Sequence, residues 1–142
     1  MYIGEYRHTI DEKRRLSIPS KFRKELGKGA VITRELDNCL VIFPMRVWEE
    51  RAKKIGTLSE SQKEARGFGR IKLAGANLVE FDKLGRILVP VHLAEYAGLE
   101  KDVVVAGIYN RLEVWDAEKW NRYQKEMEQN MESMAEKLGE QI

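Results

Sequence analysis

The residues from Ile10 to Phe22, IDEKRRLSIPSKF, occur a second time as FDKLGRILVPVHL from Phe81 to Leu93, in the same order and without a gap. Asp11 matches Asp82, Arg15 matches Arg86, Ile18 matches Val89, Pro19 matches Pro90 and Phe22 matches Leu93. Each copy is an Asp, three turn-like or basic residues, an Arg, and an alternating strand that a proline stops. After one inserted residue the likeness continues, pairing Leu40 with Leu112, Ile42 with Val114 and Trp48 with Trp120. An internal duplication of this kind sets the architecture before any single motif does.

The segments read in order give the same unit twice. Tyr2 to His8 enters as a short strand, Asp11 to Arg14 is a polar turn, and Arg15 to Ile18 alternates at period two. Ser20 is placed to N-cap a short helix carrying Phe22 and Leu26, ended by Gly27 and Gly29. Ala30–Thr33 and Leu40–Phe43 form a hairpin about Asp37-Asn38. Pro44 opens an amphipathic helix with Met45, Trp48, Ala52 and Ile55 on one face, and Gly56 ends it. Ser59 with Gln62 is a capping-box pattern, starting a second helix with Ala65 and Phe68 facing in. The second copy follows: Leu78–Phe81 as a strand, Asp82–Gly85 as a turn, and Arg86–Val89 as a strand. A helix with Leu93, Tyr96 and Ala97 comes next, then a hairpin of Val103–Ile108 and Leu112–Trp115 about Asn110-Arg111. Near Asp116 a tail helix begins. Its Trp120, Tyr123, Met127, Met131, Met134 and Leu138 form an unbroken apolar seam that fits either its own domain or a subunit interface.

Composition narrows the function. At 142 residues the chain has the length of one ordinary domain or of two small ones sharing a core. The net charge is only +2, but Arg7 to Lys24 holds seven lysines and arginines against two acids, while Asp116 to Ile142 holds four against seven. That asymmetry points to a polyanion on the basic side. The single Cys39 excludes an internal disulfide, and His8 and His92 have no metal-ligand spacing. Apolar runs fall far short of the ~20 residues that span a bilayer, and no secretory leader is visible; a soluble cytosolic protein is expected. No phosphate-binding loop, nucleophile elbow or acid–base cluster exists, so neither an enzyme nor a cofactor or small-molecule site is indicated.

What remains are the two basic turns. An Arg at a turn-to-strand junction can reach phosphate or pair bidentately with guanine. The Asp four residues earlier is better used in fixing the turn backbone through an Asx-type bond. A local Asp–Arg ion pair closing a surface turn is the competing explanation of either copy alone. Two copies at equivalent positions, one in the most basic stretch, favour an anion-binding face.

The Asp-x-x-x-Arg turn, Pro-ended strand, short helix and hairpin resemble the AbrB-like DNA-binding module. Two such modules joined by a helical linker resemble the MraZ family of bacterial transcriptional regulators. GEYRHTID, RELDNCL, FDKLGR and RLEVWDAEKW carry the likeness over nearly the whole chain. The resemblance implies an α+β fold in which two AbrB-like repeats form a swapped-hairpin β-barrel about a pseudo-twofold, with a helical linker and a C-terminal helix. The corresponding divisions are 5–47, 48–75, 76–119 and 120–142. It also implies a ring-like homo-oligomer in the cytoplasm, associated with the nucleoid. Its activity would be binding double-stranded DNA at short direct repeats and regulating, usually repressing, the division and cell-wall gene cluster. Carried onto this chain, Asp11 and Asp82 organise the turns, Arg15 and Arg86 are the motif arginines, and Lys13 and Lys83 are phosphate partners. The family commonly has Gly just before the motif Arg. Gly85 fits, but Arg14 does not, so either the first turn changes shape or Arg14 bears the strain, with an added phosphate contact as its expected role. The competing reading is an oligomeric interaction module whose basic turns bind an acidic protein.

Overall fold

Each copy of the repeat folds as strand, turn, strand, short helix and hairpin, and the copies trade strands. The computed structural model describes residues 1–27 and 29–142. The first copy comprises β1 (Tyr2–Thr9), β2 (Arg15–Ser17), α1 (Ser20–Leu26), β3 (Ala30–Glu35) and β4 (Cys39–Pro44). The linker holds α2 (Met45–Gly56), α3 (Lys63–Gly69) and a π-helical turn at Arg70–Ala74. The second copy is β5 (Asn77–Val79), β6 (Arg86–Leu88), α4 (Val91–Ala97), β7 (Asp102–Tyr109) and β8 (Arg111–Asp116). The tail is α5 (Ala117–Gln129), α6 (Met131–Leu138) and a final 3₁₀ turn.

A six-stranded sheet runs β1-β7-β8-β4-β3-β5, and β2 pairs with β6 in a separate two-stranded ribbon. All pairings are antiparallel. The entry strand of each copy lies on the hairpin of the other: β1 on β7 with Tyr2 opposite Tyr109, and β5 on β3 with Ala30 opposite Val79. The two hairpins meet at the centre, where Leu40 faces Val114 and Ile42 faces Leu112. Single bridges, Ile10 to Leu16 and Phe81 to Ile87, tie the ribbon to the chain leaving β1 and β5. The expected pseudo-twofold exchange of strands is therefore the organising feature.

The main core lies between the sheet and the ribbon. Leu16, Ile18, Phe22, Ile32, Leu40 and Ile42 fill it from the first copy, and Ile87, Val89, Leu93, Val103, Leu112 and Val114 fill it from the second. Strand β4 is buried on both faces, which explains its continuous apolar run. On its outer face Val41 and Phe43 take Val47 and Trp48 from α2. Further along, Cys39, Val104 and Trp115 are covered by Trp120 and Tyr123 of α5.

Several local expectations are corrected. Ser20 is the first helical residue rather than the cap; Pro19 caps α1, and its carbonyl accepts from the Phe22 and Arg23 amides. The Ser59–Gln62 box does not form, because Ser59 and Ser61 bond each other and α3 starts after Gln62. Phe68 does not face in but is 41% exposed. Strand β5 ends at Val79, short of Phe81. The second hairpin turns at Tyr109-Asn110, with Tyr109 at a φ of 62°, and Arg111 already belongs to β8. The tail seam is broken at Asn130, whose side chain donates back to the Glu126 carbonyl and competes with the helix. Its aromatic half packs on its own subunit, whereas Met131 is 69% exposed.

Candidate functional site

In the first turn, Asp11 Oδ1 accepts the amides of Lys13 at 2.9 Å and Arg15 at 2.8 Å, and Oδ2 accepts Arg15 Nε at 2.7 Å. In the second, Asp82 Oδ1 accepts the amides of Leu84 and Arg86, each at 2.9 Å, and Oδ2 accepts Arg86 Nε at 2.8 Å. The backbone repeats as well: the Arg14 amide donates to the Asp11 carbonyl, and the Gly85 amide to that of Asp82. The amides of Arg15 and Arg86 are the largest influence holding these carboxyls below the usual aspartate range; the guanidiniums add to it. Each Asp thus shapes its turn and grips its Arg side-on. Among the described residues, the terminal Nη groups of Arg15 and Arg86 make no hydrogen bond within the protein, so each fork stays available.

Position four of the turn requires a left-handed backbone. Gly85 has a φ of 76° and Arg14 a φ of 62°. The first turn keeps its shape and Arg14 bears the strain, which for a non-glycine residue is about 1–2 kcal/mol. Its side chain crosses the ribbon, with Nε donating to the Val89 carbonyl at 3.1 Å.

Pairing decides where the two motif arginines go. Arg15 lies opposite Leu88, Leu16 opposite Ile87, and Ser17 opposite Arg86. Leu16 and Ile87 point into the core, so Arg15, Ser17, Arg86 and Leu88 share the outward face, because side chains alternate along a strand. Arg15 and Arg86 are diagonal neighbours, about 7–8 Å apart. Two turns far apart in sequence become one bipartite guanidinium face. Lys13 and Lys83 are exposed at the turn tips, at opposite ends of this ribbon. They are not equivalent: Lys13 corresponds to Leu84, and Lys83 to Glu12.

Sequence reasoning missed three participants. Ser17 and the 59% exposed Leu88 complete the outward face, and Arg23 of α1 sends Nη1 to the Ile18 carbonyl at 2.6 Å. Ser17 and Leu88 could have been found from the alternation of Arg-Leu-Ser and Arg-Ile-Leu. Nothing in the sequence marked Arg23.

Among the described residues, no cluster of three or more His, Cys, Asp or Glu side chains could hold a metal ion. His92 Nε2 is spent on the Gly75 carbonyl at 3.0 Å. Burial, before the nearby carboxylates, pushes the Cys39 thiol far up, away from nucleophile chemistry. No helix of the described residues is long and apolar enough to cross a membrane.

A duplicated unit with exchanged strands and an Asp-x-x-x-Arg turn in each copy places the chain among proteins built from two AbrB-like modules. The comparisons narrow the class. The chain belongs to the MraZ family: the profile described as "MraZ protein, putative antitoxin-like" matches residues 1–71 and again residues 73–140. Similar proteins named transcriptional regulator MraZ occur in Natranaerobius thermophilus, 46% identical over 97% of this chain and 96% of that protein, and in Moorella thermoacetica, 47% identical over the same shares. A third, from Clostridium tetani, is 45% identical over 99% of this chain and 98% of its own length.

Proposed function

We propose that this chain is a sequence-specific DNA-binding transcriptional regulator that presents the β2/β6 ribbon to the major groove. The observation that carries the reading is the outward face of that ribbon, where Arg15 and Arg86 are diagonal neighbours with free Nη groups. A two-stranded ribbon fits the roughly 12 Å width of the groove, and an Arg fork matches guanine O6 and N7. Leu88 offers an apolar contact for a thymine methyl; Ser17, at the equivalent position, does not. That inequality gives a pseudo-symmetric ribbon a direction, as binding to direct rather than inverted repeats requires. Lys13, Lys83 and Arg14 hold the flanking phosphates. The transcriptional-regulator names of the relatives support the same class of function.

One ribbon reads only a few base pairs. A ring-like homo-oligomer sets several ribbons side by side, and effective concentration then multiplies weak contacts. Successive subunits engage successive direct repeats spaced near one helical turn, about 10 bp. Acting in the nucleoid as a repressor of the division and cell-wall gene cluster is the role we assign to it.

The test starts by selecting bound sequences from a random duplex pool. Arg15→Ala combined with Arg86→Ala should abolish binding of the selected DNA while the melting temperature stays unchanged. Changing the repeat spacing by half a helical turn should weaken the wild type. Undiminished binding after both substitutions would overturn the ribbon reading. Failure of the wild type to select any duplex would leave an acidic protein as the partner of the basic turns.

A further inference from the structure

Arg14 and Arg23 do not match in the repeat: Arg14 corresponds to Gly85, and Arg23 corresponds to Ala94. Yet they do the same thing. Arg14 donates to the carbonyl of Val89, and Arg23 donates to the carbonyl of Ile18, which is the residue equivalent to Val89. Each carbonyl belongs to a residue whose amide closes one end of the β2/β6 ribbon: the Val89 amide donates to the Arg14 carbonyl and the Ile18 amide to the Gly85 carbonyl. The pseudo-twofold therefore has two equivalent positions, and each holds one guanidinium. At one end the turn supplies it, and the small Ala94 stands on the helix. At the other end the helix supplies it, and the turn carries glycine.

Turn and helix lie close together at both ends. A Cβ on Gly85 would sit 2.5 Å from Arg23 Cζ and 2.8 Å from Nε, so a side chain there would require the Arg23 guanidinium to move aside. Arg14 and Ala94 line one shared surface depression at the opposite end. Each position thus holds one guanidinium, from the turn at one end and from the helix at the other.

The two groups also differ from the motif arginines in charge balance. Arg15 and Arg86 are each paired with an Asp. Among the described residues, neither Arg14 nor Arg23 has a carboxylate within salt-bridge distance. Each spends a donor on a carbonyl and keeps others of its five N–H groups for a ligand. Both are anchored by a neutral acceptor, and the depression beside Arg14 also carries Asp11, Glu12, Glu95 and Glu100.

Resting on the DNA-binding reading above, we infer that Arg23 is a phosphate-binding residue and the functional counterpart of Arg14, the two forming a pair of backbone clamps at either end of the ribbon. The clamp belongs to the position in space, not to the position in the repeat. It follows that the donor can be moved between turn and helix without losing the contact.

The experiment measures affinity for a fluorescein-labelled mixed-sequence duplex as a function of salt, because phosphate contacts register on any sequence. Arg23→Gln should lower the log–log salt slope by about 0.9 for each subunit engaged, with the melting temperature and the oligomeric state recorded alongside. Gly85→Arg combined with Arg23→Ala should return the slope to the wild-type value, and so should Arg14→Gly combined with Ala94→Arg at the other end. Arg23→Lys keeps the charge and should retain most of the slope, which serves as the readout if a double variant does not fold. An unchanged slope in folded Arg23→Gln, with the wild type binding normally, overturns the clamp. No binding by the wild type overturns the DNA reading itself, and the clamp with it.

Discussion

Replacing Arg14 by glycine and by alanine separates backbone strain from the hydrogen bond made by its side chain. Arg14 sits at a φ of 62°, which costs a residue bearing a Cβ about 1–2 kcal/mol. Its Nε bond to the Val89 carbonyl is half-buried at 3.1 Å, and losing such a bond costs about 1 kcal/mol. Alanine loses the bond and keeps the strain, so Arg14→Ala should be destabilised by about 1 kcal/mol. Glycine loses the bond, sheds the strain, and gives back about 0.4–1 kcal/mol through the freer unfolded chain. Arg14→Gly should therefore match the wild type within roughly 0.5 kcal/mol and exceed Arg14→Ala by about 0.5–1 kcal/mol. At this chain length 1 kcal/mol moves Tm by about 2–4 °C, within reach of calorimetry or of dichroism at matched protein concentration. An alanine variant as stable as the glycine variant would refute the account of strain at this position.

Three further outcomes test other parts of the molecule. The folded-state carboxyls of Asp11 and Asp82 lie below their ordinary 3.8, with the Arg15 and Arg86 amides as the leading cause. Their contribution to turn order is therefore present above that value and lost as pH falls through the lower one; amide shifts of Arg15 and Arg86 titrating at or above 3.8 would contradict the turn geometry. Lys72 is buried, with Nζ 3.2 Å from Glu35 Oε1 and 2.7 Å from the Arg34 carbonyl, and burial lowers its pKa. Lys72→Met should destabilise the fold, by at most about 3–5 kcal/mol, since it leaves Glu35 Oε1 with the Leu36 amide alone, and adding Glu35→Gln should recover part of that loss in denaturant melts. Truncation after Asn130 removes only poorly covered chain and should shift Tm by less than about 2 °C; a larger fall would show that α6 supports the fold.

The duplicated turn was legible because Asp and Arg recur at fixed spacing, and the order of elements in each copy followed from local patterns, whereas the exchange of strands was implied only by the resemblance to two AbrB-like modules. The position of the arginines relative to each other was not. That Arg15 and Arg86 share a face depends on β2 pairing with β6, a contact between distant segments that no local periodicity encodes. Arg14 could be singled out because it stands where glycine was expected. Arg23 could not, since in α1 it reads as one more solvated base beside Lys21 and Lys24. Phe68 and Met131 show the limit of apolar spacing: a period places side chains on one side of a helix but does not say whether anything covers them. The Ser59–Gln62 pattern failed locally too: the Gln62 amide donates to the Ser59 carbonyl rather than to its hydroxyl, which bonds Ser61.

The exchange of entry strands between copies bears on how the chain acquires its structure during synthesis. Tyr2 finds its partner in Tyr109, so β1 must wait unpaired until about a hundred further residues have left the ribosome. The first hairpin has the same problem at its outer edge until β5 arrives. Neither copy is a foldon with a finished sheet, and such long-range closures slow the search for the native state. Two nascent chains close together could satisfy the same edges by giving each other the missing strand. Refolding of this protein should accordingly slow or branch as its concentration rises, even though each half looks self-sufficient in the sequence.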